Sequence, residues 1–286
     1  METIRAITAD GVRLALRRFA PQGERRAVIL CTHAMMARGA YFHRGAGDGF
    51  AGQLAHRGLE VYVLDWRGHG DSRPPSPRAD DWSFDDYVEL DLPAALATVC
   101  ERSGVAVDEL TYLGHSLGGL VGLAAMGTGR VPLPRRLALW ATSVWLPGPG
   151  GSLWRRGVMA ACGLSARALG YAPIRALRVG SDDEPRGYVD QLTGWAASGR
   201  WTSRTGVDYL AGLPSIECPV WPVVGAGDRL CRAEDTLELV RRLPEAREVR
   251  VVGRRAGDPI DPDHFSLFTN PQLASVWDEL VDFIAC

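Results

Sequence analysis

The sequence predicts an α/β protein: an open, mostly parallel sheet with helices on both faces and a helical insertion. Three observations predict this class. Short apolar runs of strand length alternate with helix-length segments along most of the chain. Two of these runs, Ala27 to Thr32 and Leu59 to Asp65, flank a helix-length stretch, and such a strand–helix–strand crossover argues for parallel pairing. One interval, from Leu146 to about Leu213, breaks the rhythm with no clear strand. The chain of 286 residues, 46% of them apolar, can fill one large domain carrying an insertion.

Each element has a local reason. Residues 3–8 and 11–19 flank Ala9-Asp10-Gly11 and read as an edge hairpin with an Asp-Gly turn. The crossover helix is expected over about 46–57. Ser83 is placed to cap a helix from Phe84 to about Arg102, with Leu90, Ala94, Ala97 and Val99 toward the core. The run Leu110 to Leu113 is a strand, as are Arg136 to Ala141, Val220 to Gly225 and Arg247 to Val252, with Pro222 weakening the third of these. A closing helix runs from Pro271, a first-turn residue after Asn270, to Ile284. The core is therefore assigned to 1–145 and 214–286. Residues 146–213, which include the small-residue helical stretch Trp154 to Leu169, form an insertion over the sheet's carboxyl edge.

Composition removes several function classes. A net charge of −2, with both signs interspersed, leaves no phosphate-tracking face, so nucleic acid is not an expected partner. The arginine pairs, such as Arg17-Arg18 and Arg135-Arg136, are expected on solvated faces or loop ends. Six cysteines show neither C-x-x-C spacing nor the density of a disulfide scaffold, which fits reduced thiols in a cytoplasm and no metal site. No stretch reaches the ~18 apolar residues of a membrane span. The acidic run Gly180-Ser181-Asp182-Asp183-Glu184-Pro185 is too local for a metal site and reads as a solvated lead-in to a helix.

The chemistry is concentrated at Gly114-His115-Ser116-Leu117-Gly118, which directly follows an apolar strand and precedes a helix of small and apolar residues. In such a G-x-S-x-G elbow the serine sits in a strained turn with its hydroxyl exposed, and only small residues fit beside it. Ser116 is the candidate nucleophile. A serine hydroxyl needs an imidazole to take its proton, and the imidazole needs a carboxylate to fix its tautomer. His264 is the only histidine after Ser116. Asp228, in Gly225-Ala226-Gly227-Asp228 at a strand's carboxyl end, is the preferred acid. Asp258, Asp261 and Asp263 are its rivals but lie too close to His264 in sequence to occupy a separate strand end. Acyl transfer also needs two aimed N–H groups for the developing oxyanion. Leu117 should give one, and the loop His33-Ala34-Met35-Met36 the other, with Met35 as the candidate.

These segments, together with Asp65-Trp66-Arg67-Gly68-His69-Gly70-Asp71-Ser72 and Asp263-His264-Phe265, resemble the α/β-hydrolase superfamily over roughly 25–145 and 215–285. The likeness is greatest to its monoglyceride-lipase-like and lysophospholipase-like esterases. The resemblance implies the α/β-hydrolase fold, the order Ser116, Asp228, His264, and carry-over of the oxyanion donor to Met35. The family commonly has His-Gly where this chain has His33-Ala34. His69 and Asp71 would support the site from outside, and the insertion would be a cap over the pocket. The implied activity is cleavage of a small-molecule carboxylic ester or thioester through an acyl-enzyme, without cofactor or metal. Acyl transfer with the same residues and a non-catalytic binding role are the alternatives. Leu146, Leu153, Trp154, Leu164, Trp195 and Trp201 point to an apolar, lipid-like acyl group, and equally to the insertion's own core.

Overall fold

A computed structural model describes residues 1–44, 49–146 and 153–285, with the side chains of 153–156 excepted. β1 (Glu2–Ile7) and β2 (Arg13–Phe19) form the expected hairpin, Glu2 opposite Arg18 and Ile7 opposite Arg13, with β1 at the sheet's edge. β3 (Ala27–Thr32), α1 (Gly49–His56) and β4 (Leu59–Asp65) complete the parallel crossover. The expected helix starts at 46, and 46–48 lie outside the described residues.

The next helix departs from expectation. It is built of α2 (Phe84–Asp86), a π turn over Tyr87–Asp91 and α3 (Leu92–Ser103). A π turn holds one residue more than an α turn and rotates every later residue about the helix axis. The buried set is accordingly Leu92, Ala95, Leu96 and Val99, while Ala97 is exposed and Leu90 and Ala94 are half-buried. Ser83 is the N-cap as expected, in a capping box with Asp86: its N–H and hydroxyl both donate to the Asp86 carboxylate (2.7 and 2.8 Å).

β5 (Thr111–His115), α4 (Leu117–Gly127) and β6 (Arg136–Trp140) come next in the chain. After β6 come α5 (Leu153–Leu169), β7 (Tyr171–Ala172), β8 (Glu184–Pro185), α6 (Arg186–Ser198) and α7 (Tyr209–Gly212). The sheet resumes with β9 (Val220–Gly225), then α8 (Ala233–Val240), β10 (Arg250–Val252), α9 (Ser266–Thr269) and α10 (Ala274–Ala285). β7 and β8 make a two-residue antiparallel ribbon in an interval where no strand is expected from sequence.

The main sheet runs β1-β2-β4-β3-β5-β6-β9-β10, parallel from β4 onward. Pro222 is accommodated because it falls between the Val220–Ala246 bridge and the β9–β10 ladder that starts at Val223. One core lies on each face. Tyr62, Leu64 and Tyr112 pack against α3 and α4, and Val63, Leu113 and Trp140 pack against α1 and α10. Trp195, Trp201 and Tyr209 surround Phe84 and join the first core, so these tryptophans dock the post-β6 segment onto the sheet domain. That segment has a small core of its own around Ala166, Ala172, Ile174 and Val189, while Leu164 is exposed. No helix among the described residues is long and apolar enough to cross a membrane.

Candidate active site

The chain turns from β5 into α4 at Ser116, whose φ of +53° and ψ of −110° lie outside the regions that L-residues favour. The flanking glycines are dictated by space. A Cβ on Gly114 would come within 2.4 Å of Gly119 Cα, and one on Gly118 within 2.3 Å of Thr32 Oγ1. Behind the turn, Tyr112 accepts from Thr32 Oγ1 (2.8 Å) and donates to the Gly118 carbonyl (2.6 Å). Ser116 is half-buried while its neighbours on both sides are buried. Leu117 is the first residue of α4, where a backbone N–H has no carbonyl one turn back to donate to.

Asp228 and His264 meet although 36 residues separate them: His264 Nδ1 lies 2.7 Å from Asp228 Oδ2. Their loops are stitched together by backbone. Gly227 N–H donates to Pro262 O (3.0 Å) and Ala226 N–H to Val252 O (2.8 Å), and a Cβ on Gly225 would strike Pro262 O at 2.2 Å. The other carboxylate oxygen of Asp228 accepts from the Leu230 and Cys231 N–H groups (2.8 and 2.9 Å). The rival acids have other partners. Asp258 binds Arg250 and the Gly253 N–H, Asp261 the Arg254 N–H, and Asp263 the turn at Phe265 and Ser266. The His264 ring packs 4.6 Å from that of His115, centroid to centroid, which sets it beside the elbow.

The loop after β3 is pinned peptide by peptide. His33 is buried, and burial together with neighbouring His69 pushes its pKa down to about 3. The neutral ring donates from Nδ1 to Ala34 O (2.8 Å) and accepts at Nε2 from Trp66 N–H (3.1 Å), a bracing role. Ala34 N–H donates to Tyr41 Oη (3.2 Å). Ala34 needs no left-handed backbone in place of the family's glycine, because the positive φ falls two residues later, at Met36 (+59°). Met36 N–H donates to Glu184 Oε1 (2.5 Å), and its carbonyl accepts from the Ser181 and Asp182 N–H groups (2.8 and 3.3 Å). Met35 is half-buried between these two anchors.

The acidic run at 180–185 is not solvated. Asp182, Asp183 and Glu184 are all buried. Asp182 binds Arg38 (2.8 Å) and Arg73, Asp183 binds Arg78 (3.1 Å) and the Arg175 N–H (2.9 Å), and Glu184 lies 3.3 Å from His69 Nε2. Arginines from the sheet domain make the burial tolerable by pairing with the aspartates. Burial works against a charge on His69, yet the Glu184 carboxylate overrides it and raises the pKa to about 9. Two members of the arginine pairs are likewise interior: Arg17 is paired with Asp65 (2.8 Å) and Asp71, and Arg136 donates to Phe283 O (2.5 Å). Tyr41, Asp65 and Glu184 are the site-supporting residues that the sequence pattern does not single out.

Residues 23–253 match the family model described as "Serine aminopeptidase, S33". Among curated proteins, a tear acid lipase-like protein of Mesocricetus auratus is 29% identical over 143 residues, 45% of this chain and 35% of that one. Triacylglycerol lipase 2 of Arabidopsis thaliana is 30% identical over 156 residues, 49% of this chain and 37% of that one. The chain thus spans about a third of the length of the curated relatives it matches. Among solved structures, an esterase from Exiguobacterium antarcticum superposes with a TM-score of 0.69 at 15% identity, and one from Thermogutta terrifontis with 0.63 at 18%, each over 100% of both chains. Likeness at that identity is a likeness of fold. With four fifths of its length under one family model and the strand order described above, the chain belongs to the serine aminopeptidase S33 family and has the α/β-hydrolase fold.

Proposed function

We propose that this protein is a serine hydrolase that cleaves carboxylic esters through an acyl-enzyme, with Ser116, His264 and Asp228 as its triad. The observation that carries the reading is the Asp228–His264 hydrogen bond of 2.7 Å beside a serine held at φ +53°. Ser116 Oγ bonds to the acyl carbon as its proton passes to His264 Nε2. The carbonyl oxygen becomes an oxyanion that the Met35 and Leu117 N–H groups receive. The ester C–O bond then breaks, and the alcohol leaves with the proton held by His264. Water repeats the sequence on the acyl-enzyme, giving its proton to His264, and frees the acid and Ser116.

Esters are favoured over peptides by the names of the lipase relatives and the esterase structures, and the lipases favour a lipid-like acyl chain. Residues 146–213 are proposed as a cap, because they leave the sheet at the carboxyl end of β6 and return to clasp the loop after β3. The five described cysteines are free thiols, which supports the cytoplasm as the compartment.

The test is hydrolysis of p-nitrophenyl esters from acetate to palmitate, with matching p-nitroanilides, by the parent chain, Ser116→Ala and His264→Ala. Ester turnover lost in both variants is expected, with the best chain length sizing the acyl pocket. Undiminished turnover in Ser116→Ala would sink the mechanism. Anilides cleaved faster than esters would move the reading to a peptidase.

A further inference from the structure

We infer that Glu184 is a positioning residue for this reaction: from the foot of the post-β6 segment, its carboxylate fixes the loop that aims the Met35 N–H. The inference rests on the ester-hydrolase reading above. Of the N–H groups at 34, 35 and 36, the first donates to Tyr41 and the third to Glu184. The N–H of Met35 lies between them without a hydrogen bond of its own among the described residues, which leaves it available to a ligand. Because Met36 adopts a left-handed conformation without being glycine, the loop does not hold this shape by local preference. Outside contacts must hold it, and at Met36 they come from one short segment. Glu184 takes the Met36 N–H, Ser181 and Asp182 take its carbonyl, and a Cβ on Gly180 would come within 2.4 Å of that same oxygen.

The chemistry of the carboxylate argues against a purely structural assignment. Glu184 is fully buried, yet its Oε2 has no hydrogen-bond partner. A buried carboxylate with an unused oxygen costs stability, and an apolar side chain of similar size would fill the place at lower cost. What the apolar side chain could not do is accept the Met36 N–H. His69 supplies the compensating positive charge from the loop after β4, so one acid ties three segments together: the β3 loop, the β4 loop and the segment leading into α6. Oxyanion stabilisation depends on donors fixed in advance, and misplacement by about 1 Å can cost on the order of 100-fold.

The experiment compares Glu184→Ala, Glu184→Gln and Gly180→Ala with the parent chain and Ser116→Ala. Its readouts are kcat and KM on the best p-nitrophenyl ester, and inhibition by an alkyl boronic acid, whose tetrahedral serine adduct places an oxygen where the oxyanion forms. Glu184→Ala should lower kcat by roughly 10- to 100-fold with KM little changed, and weaken boronate inhibition by a similar factor. Glu184→Gln keeps an acceptor for the Met36 N–H and should recover most of the loss. Gly180→Ala, which leaves the carboxylate in place and pushes on the Met36 carbonyl, should reproduce the kcat-selective defect even if Glu184→Ala fails to fold. The inference is overturned if folded Glu184→Ala keeps the parent kcat, or if Gln and Ala are equally impaired with the change in KM alone. An inert parent, or full turnover by Ser116→Ala, would instead overturn the ester-hydrolase reading itself.

Discussion

Tyr41 Oη lies 2.6 Å from His115 Nδ1 and accepts the Ala34 N–H at 3.2 Å, so one phenol joins the loop after β3 to the residue preceding Ser116. Burial keeps both groups neutral, raising the Tyr41 pKa and holding His115 far below the ordinary histidine value. The phenol can then donate to the ring and accept from the backbone at once. The two sides of the proposed oxyanion site are thereby held at a set distance by one hydroxyl. Tyr41→Phe preserves the ring contacts with Phe42 and Phe268 and removes only the hydroxyl. It should cost about 1–2 kcal/mol of stability, seen as a lower midpoint in urea, and reduce kcat more than it changes KM.

Asp228→Asn tests the acid directly. The substituted side chain can still accept the Leu230 and Cys231 N–H groups through one oxygen, so the loop should keep its shape. The amide cannot favour the imidazole tautomer that leaves Nε2 free for Ser116. Turnover should fall by about 1,000- to 10,000-fold with the melting temperature nearly unchanged. Asp258→Asn and Asp263→Asn, whose carboxylates serve Arg250 and the Ser266 turn, should retain the parent rate within a few-fold. Comparable losses in either would reassign the acid.

Local chemistry and elimination decide which parts of the molecule are legible in the sequence. The elbow announces itself because glycines 114 and 118 are needed within a few residues of Ser116, and Asp228 with His264 can be found because one histidine comes after the serine. Glu184 is illegible for a matching reason. Its contact with Met36 spans 148 positions, and a run of three acids is ordinarily solvated, so nothing local marks the arginines that come to bury it. The phase of the Phe84–Ser103 helix is hidden likewise, since a π turn leaves no signature in a 3.6-residue period. Trp195 and Trp201 fit a pocket or an insertion core equally well in sequence, because composition cannot tell which neighbour an aromatic ring will meet.

Asp65 should govern stability in acid. It ends β4 fully buried, accepts from Gly39 N–H (2.7 Å), Asp71 N–H (3.0 Å) and Arg17 (2.8 Å), and so ties both site loops to the sheet. Burial opposes its charge, but the Arg17 guanidinium and the Asp71 N–H outweigh that and hold its pKa below the ordinary 3.8. A depressed carboxyl stabilises the fold above its unfolded pKa and loses that contribution as pH falls through the folded value. The relevant window is therefore below about pH 4. Asp65→Asn, which leaves Arg17 without this charge, should cost about 3 kcal/mol or more at pH 7. It should also flatten the fall in stability below pH 4, as read from denaturant midpoints across pH.

His69 should act at the opposite end of the scale. Its ring donates to Arg67 O (2.9 Å), faces Glu184 across 3.3 Å and packs 5.4 Å from the neutral ring of His33, with Asp182 adding further attraction. The folded pKa of about 9 exceeds the ordinary 6.5. A raised base stabilises the fold fully below its unfolded pKa and loses that contribution as pH rises through the folded value. The pair's stabilisation should therefore be complete at pH 6 and fade between about 6.5 and 9. Denaturant midpoints of the parent chain should decline across that interval, and His69→Gln, which carries no titrating charge, should start lower and stay flat. Parallel slopes for the two proteins would mean that the ring is neutral in the fold and that Glu184 finds its counter-charge elsewhere.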